Sequence, residues 1–137
     1  MSAGGAPRIF VAEDEFLVAV LLEQDLQSAG YEVAGPFTRL PEAIAAAERE
    51  TLDLALLDMN MNGQMAYPVA DCFLARGTPL LLLSGYGAMD LPERLRGVPR
   101  VSKPYDKATL LREIERLLPS ERLLPRQRAA PASQDRN

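Results

Sequence analysis

Apolar residues follow two different spacings along the chain, and the two spacings alternate. Short apolar runs bounded by turn residues predict five strands, within residues 8–12, 31–35, 53–58, 79–84 and 98–104. Apolar residues three or four positions apart predict helices between and after them, within residues 15–29, 41–47, 67–76 and 106–118. Because strands and helices alternate, the sequence predicts an α/β fold, with a parallel sheet covered by helices on both faces.

Two helical segments differ in the strength of their pattern. Residues 85–97, GYGAMDLPERLRG, predict at most one short helix after the fourth strand. In the last segment Asp106 is placed to cap the helix. The apolar stripe of that helix consists of Leu110, Ile114, Leu117 and Leu118.

The length of 137 residues predicts one domain with a core of its own. We place this domain at residues 8–118, after a flexible N-terminus of residues 1–7. Residues 119–137 are rich in Pro, Arg, Ala, Ser and Gln without a period, which predicts a disordered tail. No apolar stretch reaches the roughly 18 residues of a membrane span, and the N-terminus lacks a signal-peptide pattern. A cytoplasmic protein without membrane contact is expected.

The residue types exclude several kinds of site. The chain has no histidine and one cysteine, which removes Ser-His and Cys-His nucleophile pairs and most zinc sites. The net charge is −4, and four arginines against two acids in residues 119–137 leave −6 on residues 1–118. An acidic domain is a poor match for nucleic acid, so no nucleic-acid partner is expected.

Charged and hydroxyl side chains stand where the predicted strands end. In an open parallel sheet, ligands bind beyond the carboxyl ends of the strands. The residues at these ends are Glu13, Asp14 and Glu15 after the first strand, Asp58 after the third, Ser84 after the fourth, and Lys103 and Pro104 after the fifth.

This set of side chains predicts phosphoryl chemistry with Mg²⁺ as the cofactor. The carboxylates repel one another, and a hard cation that binds oxygen relieves the repulsion. An aspartate is a competent nucleophile toward phosphorus, while Lys103 and Ser84 can bind phosphoryl oxygens. Asp58 is therefore the candidate for phosphorylation.

Four motifs in order resemble the receiver domain of response regulators in two-component signalling. They are FVAEDE (10–15), LALLDMN (54–60), LLLSGYG (81–87) and VSKPY (101–105). The resemblance covers residues 8–118. It implies a flavodoxin-like, doubly wound sheet of five parallel strands in the order 2-1-3-4-5, with a short or irregular fourth helix.

The resemblance also implies a role for each motif position. Asp58 matches the phospho-acceptor, which binds the metal together with Asp14 and the backbone carbonyl of Asn60. Glu13 matches an outer-shell partner of the metal. The remaining matches are Ser84 with the switch hydroxyl, Lys103 with the phosphate-pairing lysine, Pro104 with a cis peptide bond and Gly63 with the turn after the acceptor strand.

Two positions depart from the usual receiver pattern. Arg100 stands three residues before the lysine, where many receivers have an aromatic residue that turns inward on activation. The sequence SGYG and the weak helix after it are similar to a receiver subgroup with an F-A-T-G-aromatic motif, in which this loop carries the signal. Tyr86 is accordingly expected to respond to phosphorylation.

The expected function is that of a stand-alone response regulator. Its phosphodonor would be a phosphohistidine of a sensor histidine kinase or of a histidine phosphotransfer protein. Its output would be contact with a downstream protein through the fourth helix, fifth strand and last helix, or service as a phosphate sink. We expect a monomer or a phosphorylation-dependent homodimer, without enzymatic activity beyond self-phosphorylation and slow autodephosphorylation.

Three alternatives stay open at this stage. The acids at residues 13–15 could be a solvated cluster favoured by the helix dipole. The domain could be a binding module that is never phosphorylated. It could also be a phosphohydrolase with an aspartyl-phosphate intermediate, although Asn60 replaces the second acid that such enzymes use for proton transfer.

Overall fold

The computed structural model describes residues 5–84 and 91–119. Its strands are β1 (Arg8–Ala12), β2 (Glu32–Phe37), β3 (Leu54–Asp58), β4 (Asn60–Met61), β5 (Gln64–Met65), β6 (Leu80–Ser84) and β7 (Arg100–Ser102). Its helices are α1 (Phe16–Ser28), α2 (Leu40–Arg49), α3 (Tyr67–Arg76), α4 (Lys107–Leu117) and a 3-10 helix at Glu93–Leu95. Tyr86 and the predicted tail from residue 120 lie outside the described residues.

The main sheet has the predicted architecture. Its order is β2-β1-β3-β6-β7 and all of its pairings are parallel. Since β4 and β5 form a separate hairpin, this is the predicted order 2-1-3-4-5 counted over the main sheet alone. The 3-10 helix is the only helical element between β6 and β7 among the described residues, which agrees with the expected short fourth helix.

Side chains alternate across the sheet and divide the core into two layers. On one face Phe10 and Leu57 belong to the layer covered by α2 and α3. On the other face Ile9 and Leu56 pack with residues of α1 and α4. All four side chains are fully buried, because each strand is covered on both faces, as its continuous apolar run predicts.

The predicted helices are present in the structure. The leucines of α1, however, lie on two different faces of the helix. Leu22 and Leu26 are buried, whereas Leu17 and Leu21 are exposed. Asp106 caps α4 as predicted, since its carboxylate accepts a hydrogen bond of 3.0 Å from the Thr109 amide. Within the described residues, none of the helices combines the length and the hydrophobicity that a membrane span requires.

Strand β2 extends beyond its predicted end at residue 35. The Gly35–Pro36 peptide bond is cis and Gly35 has a φ of 105°. The register against β1 shifts here, so that Ala12 pairs with Phe37. The Phe37 carbonyl then accepts a hydrogen bond of 3.0 Å from the Glu13 amide, which ties the start of the acidic motif to the neighbouring strand.

The short hairpin after β3 is an element that the sequence analysis did not predict. Asn60 pairs with Met65 and Met61 with Gln64, and residues 62 and 63 form the turn. Asn62 has a φ of 57° and Gly63 a φ of 85°. An Asn-Gly pair with two positive φ angles is typical of a tight hairpin turn, so the dipeptide itself was the signal for this element.

Candidate functional site

The carboxyl edge of the main sheet brings four predicted charged residues into one cluster. Glu13 and Asp14 follow β1, Asp58 ends β3 and Lys103 follows β7. Asp58 pairs in register with Leu83, next to Ser84 at the end of β6. The parallel strands therefore end at one level and place these side chains together.

Lys103 lies at the centre of the cluster. Its Nζ donates hydrogen bonds of 3.1 and 3.2 Å to the two carboxylate oxygens of Glu13, and one of 3.1 Å to Asp58 Oδ2. A further bond of 3.2 Å goes to Glu15 Oε1. The pairing of Lys103 with Asp58 was predicted, whereas its contacts with Glu13 and Glu15 were not.

Burial opposes the ionised forms of the two innermost acids. Glu13 is 0% exposed and Asp58 is 5% exposed. Loss of hydration, together with the neighbouring Asp58 charge, raises the pKa of Glu13 to about 7, against the opposing effects of the Glu15 backbone hydrogen bond and of Lys103. Burial likewise raises the pKa of Asp58 above its usual value. Desolvation works against the charged form of Lys103. The charges and hydrogen bonds of Asp58 and Glu13 together outweigh this effect and raise the pKa of Lys103.

Asp14 is the more accessible acid of the cluster and keeps its charge more easily. Partial burial works against ionisation, but the hydrogen bonds that its carboxylate accepts outweigh it and lower the pKa of Asp14. The strongest of these comes from the backbone amide of Asn62, at 2.9 Å from Oδ2. The hairpin turn thus positions Asp14, a role for Asn62 that the sequence analysis missed.

The segment after β3 also positions Asp58 itself. The Asn60 amide donates a hydrogen bond of 3.1 Å to Asp58 Oδ1, so the two carboxylate oxygens face different partners. The side-chain oxygen of Asn60 accepts a bond of 2.8 Å from the Gly63 amide. That bond supports the turn in which Gly63 was expected.

The remaining predicted residues lie at the same edge or outside the described residues. Ser84 is half-buried at the end of β6, and its carbonyl accepts a hydrogen bond of 2.8 Å from the Lys103 amide. The Lys103–Pro104 peptide bond is cis, as the resemblance implied. Tyr86 lies outside the described residues, and Arg100 is exposed on β7.

The acidic cluster has the donor set of a divalent-cation site. Glu13, Asp14 and Asp58 each offer a carboxylate oxygen, and these oxygens lie within 4.8 Å of one another. Three hard oxygen donors at this spacing fit Mg²⁺ or Ca²⁺ better than a softer metal. A cation there would offset the mutual repulsion and the burial that raise the pKa values of Glu13 and Asp58.

Comparisons with known proteins agree with this architecture. The sequence matches the family described as "Response regulator receiver domain" over residues 9–115. It is 30% identical over 112 residues to the transcriptional regulatory protein PdtaR of Mycobacterium tuberculosis, covering 79% of this chain and 55% of PdtaR. The chain spans about half the length of the curated relatives it matches.

Solved structures show the same fold. The solution structure of SdrG from Sphingomonas melonis Fr1 has a TM-score of 0.73 at 30% identity, over 85% of this chain and 98% of SdrG. The receiver domain of the sensor histidine kinase PA1611 from Pseudomonas aeruginosa PAO1 has a TM-score of 0.68 at 24% identity, over 82% and 98%. That crystal structure contains a magnesium ion coordinated in the active-site cleft.

Proposed function

Because the chain belongs to the response regulator receiver domain family, we propose that it signals by accepting a phosphoryl group on the carboxylate of Asp58. The observation that carries this proposal is the position of Asp58 at the sheet edge, in contact with Lys103 and beside the acidic pair Glu13 and Asp14. Its Oδ2 lies 3.1 Å from the Lys103 ammonium, while the Asn60 amide holds Oδ1.

The proposed step transfers a phosphoryl group from a phosphohistidine to Asp58. A carboxylate oxygen of Asp58 forms a bond to phosphorus while the nitrogen–phosphorus bond breaks, and the imidazole leaves with the bonding electron pair. Lys103 neutralises charge on a phosphoryl oxygen and Ser84 donates a hydrogen bond to another. Catalysis of this kind needs positioned charges, which this cluster supplies.

Mg²⁺ is part of the proposal. Asp14, Asp58 and the backbone carbonyl of Asn60 would hold the ion, with Glu13 in the outer shell. When bound, the ion would neutralise charge on the phosphoryl oxygens. The clustering of three carboxylate oxygens within 4.8 Å supports this assignment, as does the magnesium ion in the related Pseudomonas receiver.

The phosphodonor proposed is a sensor histidine kinase or a histidine phosphotransfer protein. The first turns of α1 support docking of a protein donor next to Asp58. Phe16, Leu17 and Leu21 are 71%, 75% and 53% exposed, and α1 starts directly after the acidic motif. Exposed apolar side chains grouped in this way are typical of protein interaction sites.

The proposed output is contact with a downstream protein, as a monomer or as a phosphorylation-dependent homodimer. Competition for phosphoryl groups is the other proposed output.

The proposed location is the cytoplasm, where a sensor histidine kinase or a histidine phosphotransfer protein would donate the phosphoryl group. We propose no enzymatic turnover beyond self-phosphorylation and slow autodephosphorylation, because the Asn60 amide does not titrate and cannot act as a general acid or base.

Intact-protein mass spectrometry after incubation with acetyl phosphate tests the proposal. Wild type and Asp58→Asn are each measured with Mg²⁺ and with EDTA, and circular dichroism checks that both are folded. An adduct of one phosphoryl group on wild type, dependent on Mg²⁺, is expected. An adduct on both proteins would remove Asp58 as the acceptor. No adduct, from acetyl phosphate or from phosphorylated kinases, would favour a binding module that is never phosphorylated.

A further inference from the structure

Glu15 contacts Lys103 although the proposed phosphorylation site does not use it. Its Oε1 lies 3.2 Å from the Lys103 Nζ. The side chain of Glu15 is 62% exposed, whereas those of Glu13 and Asp58 are 0% and 7% exposed. The ammonium is thus shared between two buried acids and one acid that faces solvent.

The position of Glu15 puts a solvent-facing negative charge close to Asp58. Because both carboxylates lie within hydrogen-bond distance of the same Nζ, at 3.2 and 3.1 Å, Glu15 Oε1 and Asp58 Oδ2 are no more than about 6.3 Å apart. A negative group that approaches Asp58 from solvent therefore meets the Glu15 carboxylate at short range. It must also compete with Glu15 for the Lys103 ammonium.

We propose that Glu15 is a specificity-determining residue that disfavours small anionic phosphodonors and so favours transfer from a docked protein. The inference rests on the proposed phosphorylation of Asp58 and deepens it. A free acyl phosphate approaches Asp58 with its full negative charge, which the Glu15 carboxylate repels. Such a donor is also too small to displace the Glu15 side chain from Lys103 through other contacts.

A docked protein donor removes this obstacle in a way that a small donor cannot. Glu15 immediately precedes the exposed apolar residues Phe16 and Leu17. A protein that covers these side chains also contacts Glu15 and can turn its carboxylate away from Lys103. Lys103 then has a free donor for the incoming phosphoryl oxygen.

Initial phosphorylation rates of wild type, Glu15→Gln and Glu23→Gln test the inference. Glu23→Gln is the matched control, because it also removes one negative charge, from a residue of α1 about two turns beyond Glu15. Each protein is treated with acetyl phosphate and with phosphoramidate, which carries less negative charge, at low and high ionic strength. Mg²⁺ affinity is measured in parallel, so that a change in metal binding is separated from a change in rate.

Glu15→Gln is expected to accelerate the acetyl phosphate reaction about threefold to tenfold at low salt. The gain should be smaller with phosphoramidate and should shrink as salt screens the charge. Glu23→Gln should match wild type. A purely structural role for Glu15 would not produce this dependence on donor charge.

Two results would overturn the inference. In the first, wild type is phosphorylated, and the rate of Glu15→Gln either equals that of wild type or increases equally with both donors at all salt concentrations. Glu15 then does not select donors, while the proposed function stands. If neither donor nor a phosphorylated kinase modifies any of the proteins, the proposed function falls and the inference falls with it.

Discussion

The Lys103 Nζ lies 3.1 Å from Asp58 Oδ2, although β6 separates the two strands that lead to these residues. The side chains reach each other because both leave the same edge of the sheet beyond the end of β6. The ion pair therefore depends on the strand order and on a common level of the three strand ends, and it links the two halves of the sheet at the proposed site.

Replacing Lys103 with methionine should separate the roles of this residue in stability and in catalysis. The buried carboxylates of Glu13 and Asp58 would lose their cation, so the free energy of unfolding in EDTA should fall by roughly 3 kcal/mol. Mg²⁺ affinity should rise, since a competing positive charge is gone. The phosphorylation rate should fall at least tenfold.

Urea unfolding, isothermal titration with Mg²⁺ and the acetyl phosphate assay measure these three quantities. Lys107→Met is the control, because Lys107 is exposed and its ion pair with Asp25 is 3.8 Å long. A Lys103→Met protein with unchanged stability, metal affinity and rate would contradict the assignment of Lys103 to the site.

Asp14→Asn tests the metal site separately from phosphorylation. Mg²⁺ that binds the folded state should raise the melting temperature of wild type. The rise should largely disappear in Asp14→Asn, because the substitution removes one of the three clustered carboxylates. Differential scanning fluorimetry over a Mg²⁺ series measures the effect, with Glu48→Gln, an exposed site on α2, as the control for lost charge. An equal rise in both variants would exclude Asp14 as a ligand.

Leu17→Ser tests the apolar surface of α1 as the docking site of a protein donor. Leu17 is 75% exposed, so the substitution should leave the fold and the acetyl phosphate rate unchanged. Transfer from a phosphorylated kinase should slow several-fold, because the apolar contact is lost on docking. Leu74→Ser on α3 is the control, and it should transfer like wild type. Equal slowing in both variants would place the docking site elsewhere.

Gly35→Ala should destabilise the protein strongly. Gly35 has a φ of 105°, and a Cβ there would lie 2.7 Å from the Phe37 amide nitrogen and 2.9 Å from the Val11 carbonyl oxygen. Backbone strain and overlap together predict a loss of about 2–4 kcal/mol in the free energy of unfolding. Gly97→Ala is the control, because among the described residues no atom beyond its chain neighbours lies within 4 Å of its Cβ position. Urea unfolding that shows equal stabilities would contradict this reading of β2.

Tyr105→Phe should weaken the contact between the segment after β7 and helix α1. The Tyr105 hydroxyl donates a hydrogen bond of 2.8 Å to Asp25 Oδ2, and its loss should cost about 1 kcal/mol at pH 7. Burial, followed by the Asp25 bond and charge, raises the pKa of Tyr105 above its ordinary value of 10.0. A raised pKa in the folded state means that this stabilisation is complete below pH 10 and is lost as the pH rises further.

Chemical unfolding of Tyr105→Phe and wild type at pH 7 and above pH 10 checks both statements. The difference in stability should be present at pH 7 and should narrow at high pH. Tyr67→Phe serves as the control, since it keeps the ring beside Arg94. A difference that widened above pH 10 would contradict the assignment of the hydrogen bond.

The strands and the acids at their ends could be predicted from the sequence because both depend on local information. A run such as residues 80–83 is apolar at every position, as expected of a strand that is covered on both faces. Since parallel strands end at one edge, the positions of Asp14, Asp58 and Lys103 relative to those ends were enough to expect them together. The Asn-Gly pair could also have predicted the hairpin at residues 60–65, but the sequence analysis did not recognise it.

Other features depended on packing between distant parts of the chain. The leucines of α1 all fit the helical period, but periodicity alone does not say which face meets the sheet, so the exposure of Leu17 and Leu21 emerged only from the fold. The contact between Glu15 and Lys103 joins residues 88 positions apart, and no local pattern indicates it. The raised pKa of Glu13 follows from complete burial beneath Lys103.

The sequence by itself determined the order of the elements, the two-layered core and the set of acids, hydroxyl and lysine at the sheet edge, because hydrophobic periodicity and strand polarity are properties of neighbouring residues. Only the tertiary structure decided how the carboxylates share Lys103, which apolar residues of α1 face solvent and how the hairpin positions Asp14. These depend on distances across the sheet, and such distances arise when β1, β3 and β7 pack side by side.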